Sequence, residues 1–271
     1  MKTLENQTLL YDEDCPLCSL YTTGFIKAGM LDQNGRKPYC NLSNEEQDFV
    51  DVKRAANEIA LIDYTTKTTT YGIDSLIKVI GFSFPWIEKI IAAKPVYFLL
   101  RKFYSFVSYN RKVIIPAQAK ENKLECVPDF NYKYRSLFIG FALTITTFVL
   151  FGYSNLILNI PKSTITRELI VAFGQIVFQS LFLFKFDKQT ILNYAGNLMT
   201  VSLMGSLILM PILILSQFMQ LPQMIILGWF AGTVLIMFLE HFRRIKILKL
   251  PFYLSFTWII YRIIALFLIL N

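Results

Sequence analysis

YDEDCPLCSL, residues 11–20, places Cys15 and Cys18 three positions apart with Pro16 between them. The apolar run Leu9, Leu10 and Tyr11 reads as a strand, and the residues from Pro16 onward read as a helix. Cys15 is then the N-cap, Pro16 the first helical residue and Cys18 part of the first turn. Proline suits that place because its missing N–H is not needed there and its φ is already helical. One helical turn brings two sulfurs close enough to join without moving the backbone. The unpaired N–H groups and the positive end of the helix favour a thiolate at Cys15. Asp12, Glu13 and Asp14 oppose it, so a strongly lowered thiol pKa is not expected. The stretch reads as a redox-active dithiol at an accessible helix start. Cys15 is the nucleophile, Cys18 the resolving thiol, and Asp12 and Asp14 are accessory candidates.

The rest of the chain is not that of an ordinary soluble protein. Of 271 residues, 54% are hydrophobic and only 17% are charged. The apolar residues concentrate after Arg135, which implies a soluble head and a membrane tail. The opening MKTLENQT is polar and does not read as a secretory signal peptide. Charge is uneven along the chain. Residues 1–93 carry nine Lys/Arg and thirteen Asp/Glu, residues 94–135 nine and three, and residues 136–271 nine and three. The segment sums of −4, +6 and +6 give the total of +8. A basic neck before a membrane span suits an anionic cytoplasmic lipid surface. Because the cations hug the spans, nucleic acid is not expected as a partner.

In the head, residues 16–30 read as a helix with Leu17, Leu20, Tyr21 and Phe25 near one face. Gly29 and Asn34-Gly35 mark its end. KPYCN, residues 37–41, reads as a short strand carrying Cys40. Ser43 begins a polar helix, and with Glu46 it fits a capping box. NEIALID (57–63) and KTTTYG (67–72) read as a hairpin. A helix opens at Asp74 or Ser75 and is interrupted by Gly81 and Pro85. Two more helical stretches follow, at 86–93 and 96–110. The order β, CxxC-helix, β, α, β, β, α is that of an α/β thioredoxin-like domain, with one parallel crossover and one antiparallel hairpin.

YDEDCPLC resembles the signature of the DCC family, a family of thiol-disulfide oxidoreductase-like domains also called domain of unknown function 393. YGIDSLIKVI and YSFVSYNRKVI look like that family's downstream helices. The likeness covers about residues 7–115 and implies a redox dithiol without naming a substrate. Glu13 stands where the family usually has glycine. No proline precedes NEIALID, so a thioredoxin-style cis-proline clamp is not implied. The domains read as 1–115 for the thioredoxin-like domain, 116–135 for a basic linker and 136–271 for a transmembrane helical domain.

Other readings of the cysteines stand beside this one. Cys15 and Cys18 are also readable as small buried core residues. Cys15, Cys18, Cys40 and Cys126 together would satisfy zinc, but the second pair is scattered rather than closely spaced, so no metal is expected. Cys40 reads as a core thiol. Cys126, in LECVPDF, reads as a bystander, with a relay role as the alternative.

After Arg135, five apolar segments stand out, at about 136–154, 168–186, 192–216, 223–239 and 252–270. Each is near the ~20 residues that cross the hydrocarbon. The fourth is shortest, and Pro211 is expected to kink the third. Lys120, Lys123, Lys133 and Arg135, then Lys185 and Lys188, then Arg243, Arg244, Lys246 and Lys249 flank alternate breaks. That pattern puts the head in the cytoplasm and the C-terminus outside, as in a bacterial inner membrane. In the cytoplasm the dithiol would be kept mostly reduced. Gln175/Gln179 and Asn193/Asn197 read as interhelical hydrogen-bonding pairs. Arg262 lies mid-span, with a glutamine or Glu168 as expected partner. His241 reads as interfacial, and Trp229 and Trp258 as lipid-facing or interfacial.

The function these features imply is a membrane-anchored thiol-disulfide oxidoreductase acting on protein thiols or disulfides, with no cofactor beyond its own disulfide. A quinone partner would find Arg262, the glutamines and aromatics as a head-group frame, but the spans hold no cysteines to pass electrons. The competing reading is a non-catalytic subunit or assembly factor whose head docks a protein partner. A transporter is weaker still, since there is no internal repeat.

Overall fold

The computed structural model describes residues 2–116, 128–158 and 160–270. It divides into two compact units, Met1–Tyr134 and Arg135–Asn271. The first is mixed α/β. Strand β1 (Gln7–Tyr11) leads into helix α1 (Pro16–Lys27), then strand β2 (Arg36–Pro38) and a single 3-10 turn, Tyr39–Asn41. Helices α2 (Asn44–Gln47) and α3 (Val52–Asn57) precede strands β3 (Ala60–Asp63) and β4 (Thr68–Tyr71). Helices α4 (Ile73–Ser83), α5 (Pro85–Ile91) and α6 (Lys94–Ile114) complete the unit.

The sheet order is β2-β1-β3-β4. β1 pairs parallel with β2, and β3 pairs antiparallel with both β1 and β4. Side chains alternate across a pleated strand, so the two central strands feed two cores. Leu9 lies opposite Leu61 and Leu10 opposite Ala60. Leu9 and Leu61 join Leu4, Leu31, Ile59 and Val79 on one face, covered by Tyr21, Phe25 and Ile26 of α1, Leu76 of α4 and Tyr104 of α6. Leu10, Ala60 and Ile62 join Tyr39, Leu42, Val50 and Ala55 on the other, covered by Phe49, Val52 and Ala56. Continuous apolar runs in β1 and β3 thus reflect burial on both faces.

Local signals set the element ends. Gly29 takes φ +69° and closes α1, with its N–H on Ile26 O and the Met30 N–H on Phe25 O. This is the glycine stop of a helix. Ser43 and Glu46 form the reciprocal capping box at α2. Gly72 opens α4 with φ +66°, and a Cβ there would come 2.6 Å from Glu58 Oε2. Only glycine meets both conditions without strain. The polar helix expected from Ser43 onward is two short helices, α2 and α3, the second capped by Asp51. Cys40 sits in the 3-10 turn rather than on a strand, because pairing with β1 ends at Pro38.

Most of the expected basic linker lies outside the described residues, as do Cys126, Lys120 and Lys123. Its far end belongs to the first unit. Asp129 N–H donates to Asn57 Oδ1, Asn110 Nδ2 donates to Tyr134 O, and Tyr109 stacks on Tyr134.

The second unit contains helices α7 (Tyr132–Ser154), α8 (Ile165–Leu181), α9 (Lys188–Leu215), α10 (Gln223–Ile247) and α11 (Tyr253–Leu270). Four of them, α7, α9, α10 and α11, are long and apolar enough to cross a membrane, so the chain is an integral membrane protein. The second expected span, 168–186, is the 17-residue α8, which is not among the four. With Thr164 as its cap it starts at Ile165, three residues ahead of the expected segment, and it ends at Leu181, well before 186. The fourth segment is correspondingly longer than its apolar stretch implied, since α10 continues through the charged residues Glu240 to Lys246. α9 runs through Pro211 as one helix.

Candidate functional site

Cys15 and Cys18 lie together at the start of α1, and both are free thiols. Asp12 builds the approach. Its carbonyl accepts the Cys15 N–H at 3.1 Å, and its Oδ1 accepts the Asp14 N–H at 3.1 Å. The Ser19 N–H then closes the first helical bond on Cys15 O. Aspartate is suited to such a turn because its side chain satisfies nearby backbone N–H groups.

The two thiols are electrostatically unlike. The neighbouring Cys18 thiol is the main reason the Cys15 pKa falls from 9.0 to about 6. Burial works against it, and the Cys18 backbone N–H adds a further lowering. Cys15 makes no close capping bond of its own, so that N–H acts at longer range. The neighbouring Cys15, with burial, pushes the Cys18 pKa upward. Cys15 is therefore the thiol that ionises first, and Cys18 the one that keeps its proton.

A strongly lowered Cys15 pKa was not expected beside three acids. The correction lies first in the neighbouring Cys18 and last in Arg111 of α6, which with Lys112 pairs with Asp12. Arg111 Nε stands 3.7 Å from Asp12 Oδ2, and Lys112 Nζ stands 2.9 Å from it. Arg111 lowers the Cys15 pKa while Asp12 raises it. Arg111 is fixed by donating to Ala56 O at 3.0 Å and Asn57 O at 3.4 Å. Glu13 turns elsewhere and accepts the Cys40 S–H at 3.3 Å. The roles of Arg111 and Lys112 were not read from the sequence. The available signal was two adjacent cations ending a helix in a head whose CxxC is approached by three acids.

Exposure differs from the expectation of an accessible helix start. Cys15 has 0% exposure and Cys18 6%. Cys18 is nevertheless in the wall of a cavity of about 320 Å³. Leu17 and Tyr21 of α1, Ile59, Leu76 of α4, and Leu100, Phe103, Tyr104 and Val107 of α6 make most of its lining. Asp12, Glu58, Ser108 and Arg111 supply the polar part. Tyr21 is held well above the ordinary phenol range by burial and then by the nearby Cys18.

Cys40 is half-buried rather than a core thiol, held by Glu13 and Asn41. No disulfide joins it to Cys15 or Cys18. Among the described residues no three His, Cys, Asp or Glu side chains cluster as a metal site.

In the second unit, several expected surface residues are interior. His241 is buried, bonded to Tyr194 at 3.0 Å and stacked on Trp258. Trp258 is buried with it, and Arg262 lies over its ring at 4.8 Å. Glu168, an expected partner for Arg262, instead pairs with Arg167 at 2.7 Å and Ser163 at 2.6 Å. Gln179 bonds to Thr257 and Leu254, as an interhelical glutamine should. The buried Gln175 makes no side-chain hydrogen bond among the described residues. Asn197 links Asn193 O to Arg244, which also binds Glu240. Trp229 is half-exposed.

No protein-family model, no curated protein and no solved structure matches this chain.

Proposed function

We propose that this is a membrane-anchored dithiol–disulfide redox protein of the DCC type, working through Cys15 and Cys18. The observation that carries the reading is the placing of two free thiols, Cys15 and Cys18, together at the start of α1, where the Cys15 pKa is lowered and the Cys18 pKa is raised. A nucleophile and its resolving partner need that asymmetry. The strand order β2-β1-β3-β4, with a parallel crossover followed by an antiparallel hairpin, supports a thioredoxin-like reading of the first unit. The Lys/Arg distribution supports a head in the cytoplasm and a C-terminus outside, in a bacterial-type inner membrane.

In the proposed reaction, the Cys15 thiolate attacks one sulfur of a substrate disulfide and the other sulfur leaves as a thiolate. Cys18 gives its proton to that leaving group and attacks the Cys15 sulfur. The Cys15–Cys18 disulfide forms, the second substrate sulfur leaves, and two electrons have passed to the substrate. The enclosed Cys15 sulfur requires the Asp12–Cys15 turn to yield, or the substrate to arrive past Cys18. A trapping experiment tests this. Cys18→Ser in a lysate is expected to accumulate thiol-sensitive adducts through Cys15; a clean blank would overturn exchange with protein substrates.

One observation favours a second reading. The lack of any Cys15 exposure suits a non-catalytic subunit whose head docks a protein partner in a membrane complex. The Cys15→Ser/Cys18→Ser double variant separates the two. Unchanged phenotype with unchanged abundance of the complex would favour the scaffold.

A further inference from the structure

We infer that the cavity beside Cys18 binds an uncharged, largely apolar organic molecule that arrives from the lipid phase. At about 320 Å³ it is roughly twice the ~150 Å³ apolar cavity that holds a benzene. It therefore has room for a ring with substituents or a branched chain. Its walls are mostly aliphatic and aromatic, and Cys18 forms part of one of them. The polar wall groups already have partners inside the protein. Asp12 is held by Lys112, Glu58 by Arg54, Ser108 by Asn57 O, and the Tyr104 hydroxyl by the Ile59 N–H. A polar ligand would lose its water and gain few bonds in return, whereas an apolar one gains on transfer.

The rim indicates the source. Phe103 lines the cavity and yet is 66% exposed. Trp86 and Ile90 of α5 and Phe98 and Leu99 of α6 are exposed as well. The exposed cations Lys89, Lys94, Arg101 and Lys102 share these helices, against Glu88 as the acidic residue. Lys102 Nζ lies 5.5 Å from the Phe98 ring centre. Aromatic and aliphatic side chains set among cations are the composition of a helix lying in an anionic lipid interface. The same chain carries four helices fit to span a bilayer, so lipid is the apolar phase at hand. That the ligand's reactive group is a disulfide rests on the redox reading above; binding itself does not.

Labelling selectivity in the full chain in anionic nanodiscs tests this. Cys15→Ser/Cys40→Ser/Cys126→Ser leaves Cys18 alone, and Cys15→Ser/Cys18→Ser/Cys126→Ser leaves Cys40 alone. Each is treated with N-cyclohexylmaleimide and with a sulfonated, charged maleimide. The ratio of the two rates cancels the thiolate fraction at each site. The ratio at Cys18 is expected to exceed that at Cys40 at least tenfold, and to collapse in Leu100→Trp or Val107→Phe. Arg101→Glu/Lys102→Glu is expected to lower it severalfold by weakening contact with lipid. Equal ratios at Cys18 and Cys40, or no labelling of Cys18 by the apolar reagent, would overturn the site. A ratio untouched by the charge reversal would overturn the lipid route. No disulfide forms in this experiment, so its failure is distinct from failure of the redox couple.

Discussion

Arg111 Nε lies 3.7 Å from Asp12 Oδ2, and both side chains are almost sealed from solvent. An acid left alone beside the thiolate would oppose it. The guanidinium offsets that field and also ties α6 to the end of α3 through the Ala56 and Asn57 carbonyls. Removing one partner of a buried pair typically costs about 3–5 kcal/mol. Arg111→Leu should fall near the lower figure, because Lys112 remains 2.9 Å from Asp12. Chemical denaturation of the variant measures the loss. The Cys15 pKa should rise in Arg111→Leu and fall further in Asp12→Asn, read by thiolate absorbance.

Thiolate absorbance against pH gives a second prediction. Cys15 titrates near 6 instead of 9.0. The first cause is the Cys18 thiol, so Cys18→Ala should return the midpoint most of the way toward 9.0. The depressed pKa contributes stability that is fully present above 9.0 and is lost as pH falls toward 6. Cys18 shifts the other way and stays protonated in both folded and unfolded states below 9.0, so it adds no slope in that window. Loss of reduced-state stability between pH 9 and pH 6 should therefore disappear in Cys15→Ser.

Glu46 offers a test of the sheet's polar edge. Burial alone would raise its pKa, but bonds from Lys37, Ser43 and Tyr64 win and hold it at about 2. A depressed carboxylate contributes stability above its ordinary pKa of 4.5 that is lost as pH falls toward 2. Unfolding midpoints measured from pH 5 to pH 2 should fall steeply in the natural chain and less in Glu46→Gln. Ser43→Ala, which removes the cap, should cost about 1 kcal/mol at pH 7.

Gly72 joins β4 to α4 at φ +66°, with Glu58 where a Cβ would go. Gly72→Ala should destabilise the first unit by about 1–3 kcal/mol, the range for a strained backbone position. Glu58→Ala in the same chain removes the clash but not the strain. The double variant should therefore recover only part of the loss in thermal melts.

Much of the head was legible because its signals are local. Pro16 after Cys15, Gly29 at a helix end and the Ser43/Glu46 box each act within one turn, and each falls where the sequence put it. β1 and β3 were legible as apolar runs. The break between α2 and α3 was not read, because helices of four and six residues give too little periodicity to place their ends. Cys40 was misplaced because the proline that ends β2 comes only two residues before it. Depth was the harder quantity. Apolar patterning says that a helix has a buried side, but not that Trp258 would cover His241, or that Glu168 would turn back to Arg167 and leave Arg262 on an indole face. The same limit hid the enclosure of Cys15, since α6, which brings Arg111 to the CxxC, lies far along the chain from it.

The most direct measurement is a redox titration of the full chain carrying Cys40→Ser and Cys126→Ser, equilibrated in dithiol buffers and read by the mass of alkylated thiols. A single reversible two-electron step is expected, gaining a Cys15–Cys18 disulfide on oxidation and losing it on reduction. Two thiols that stay alkylatable across the whole range, or that oxidise only to separate adducts, would contradict a redox role for the pair.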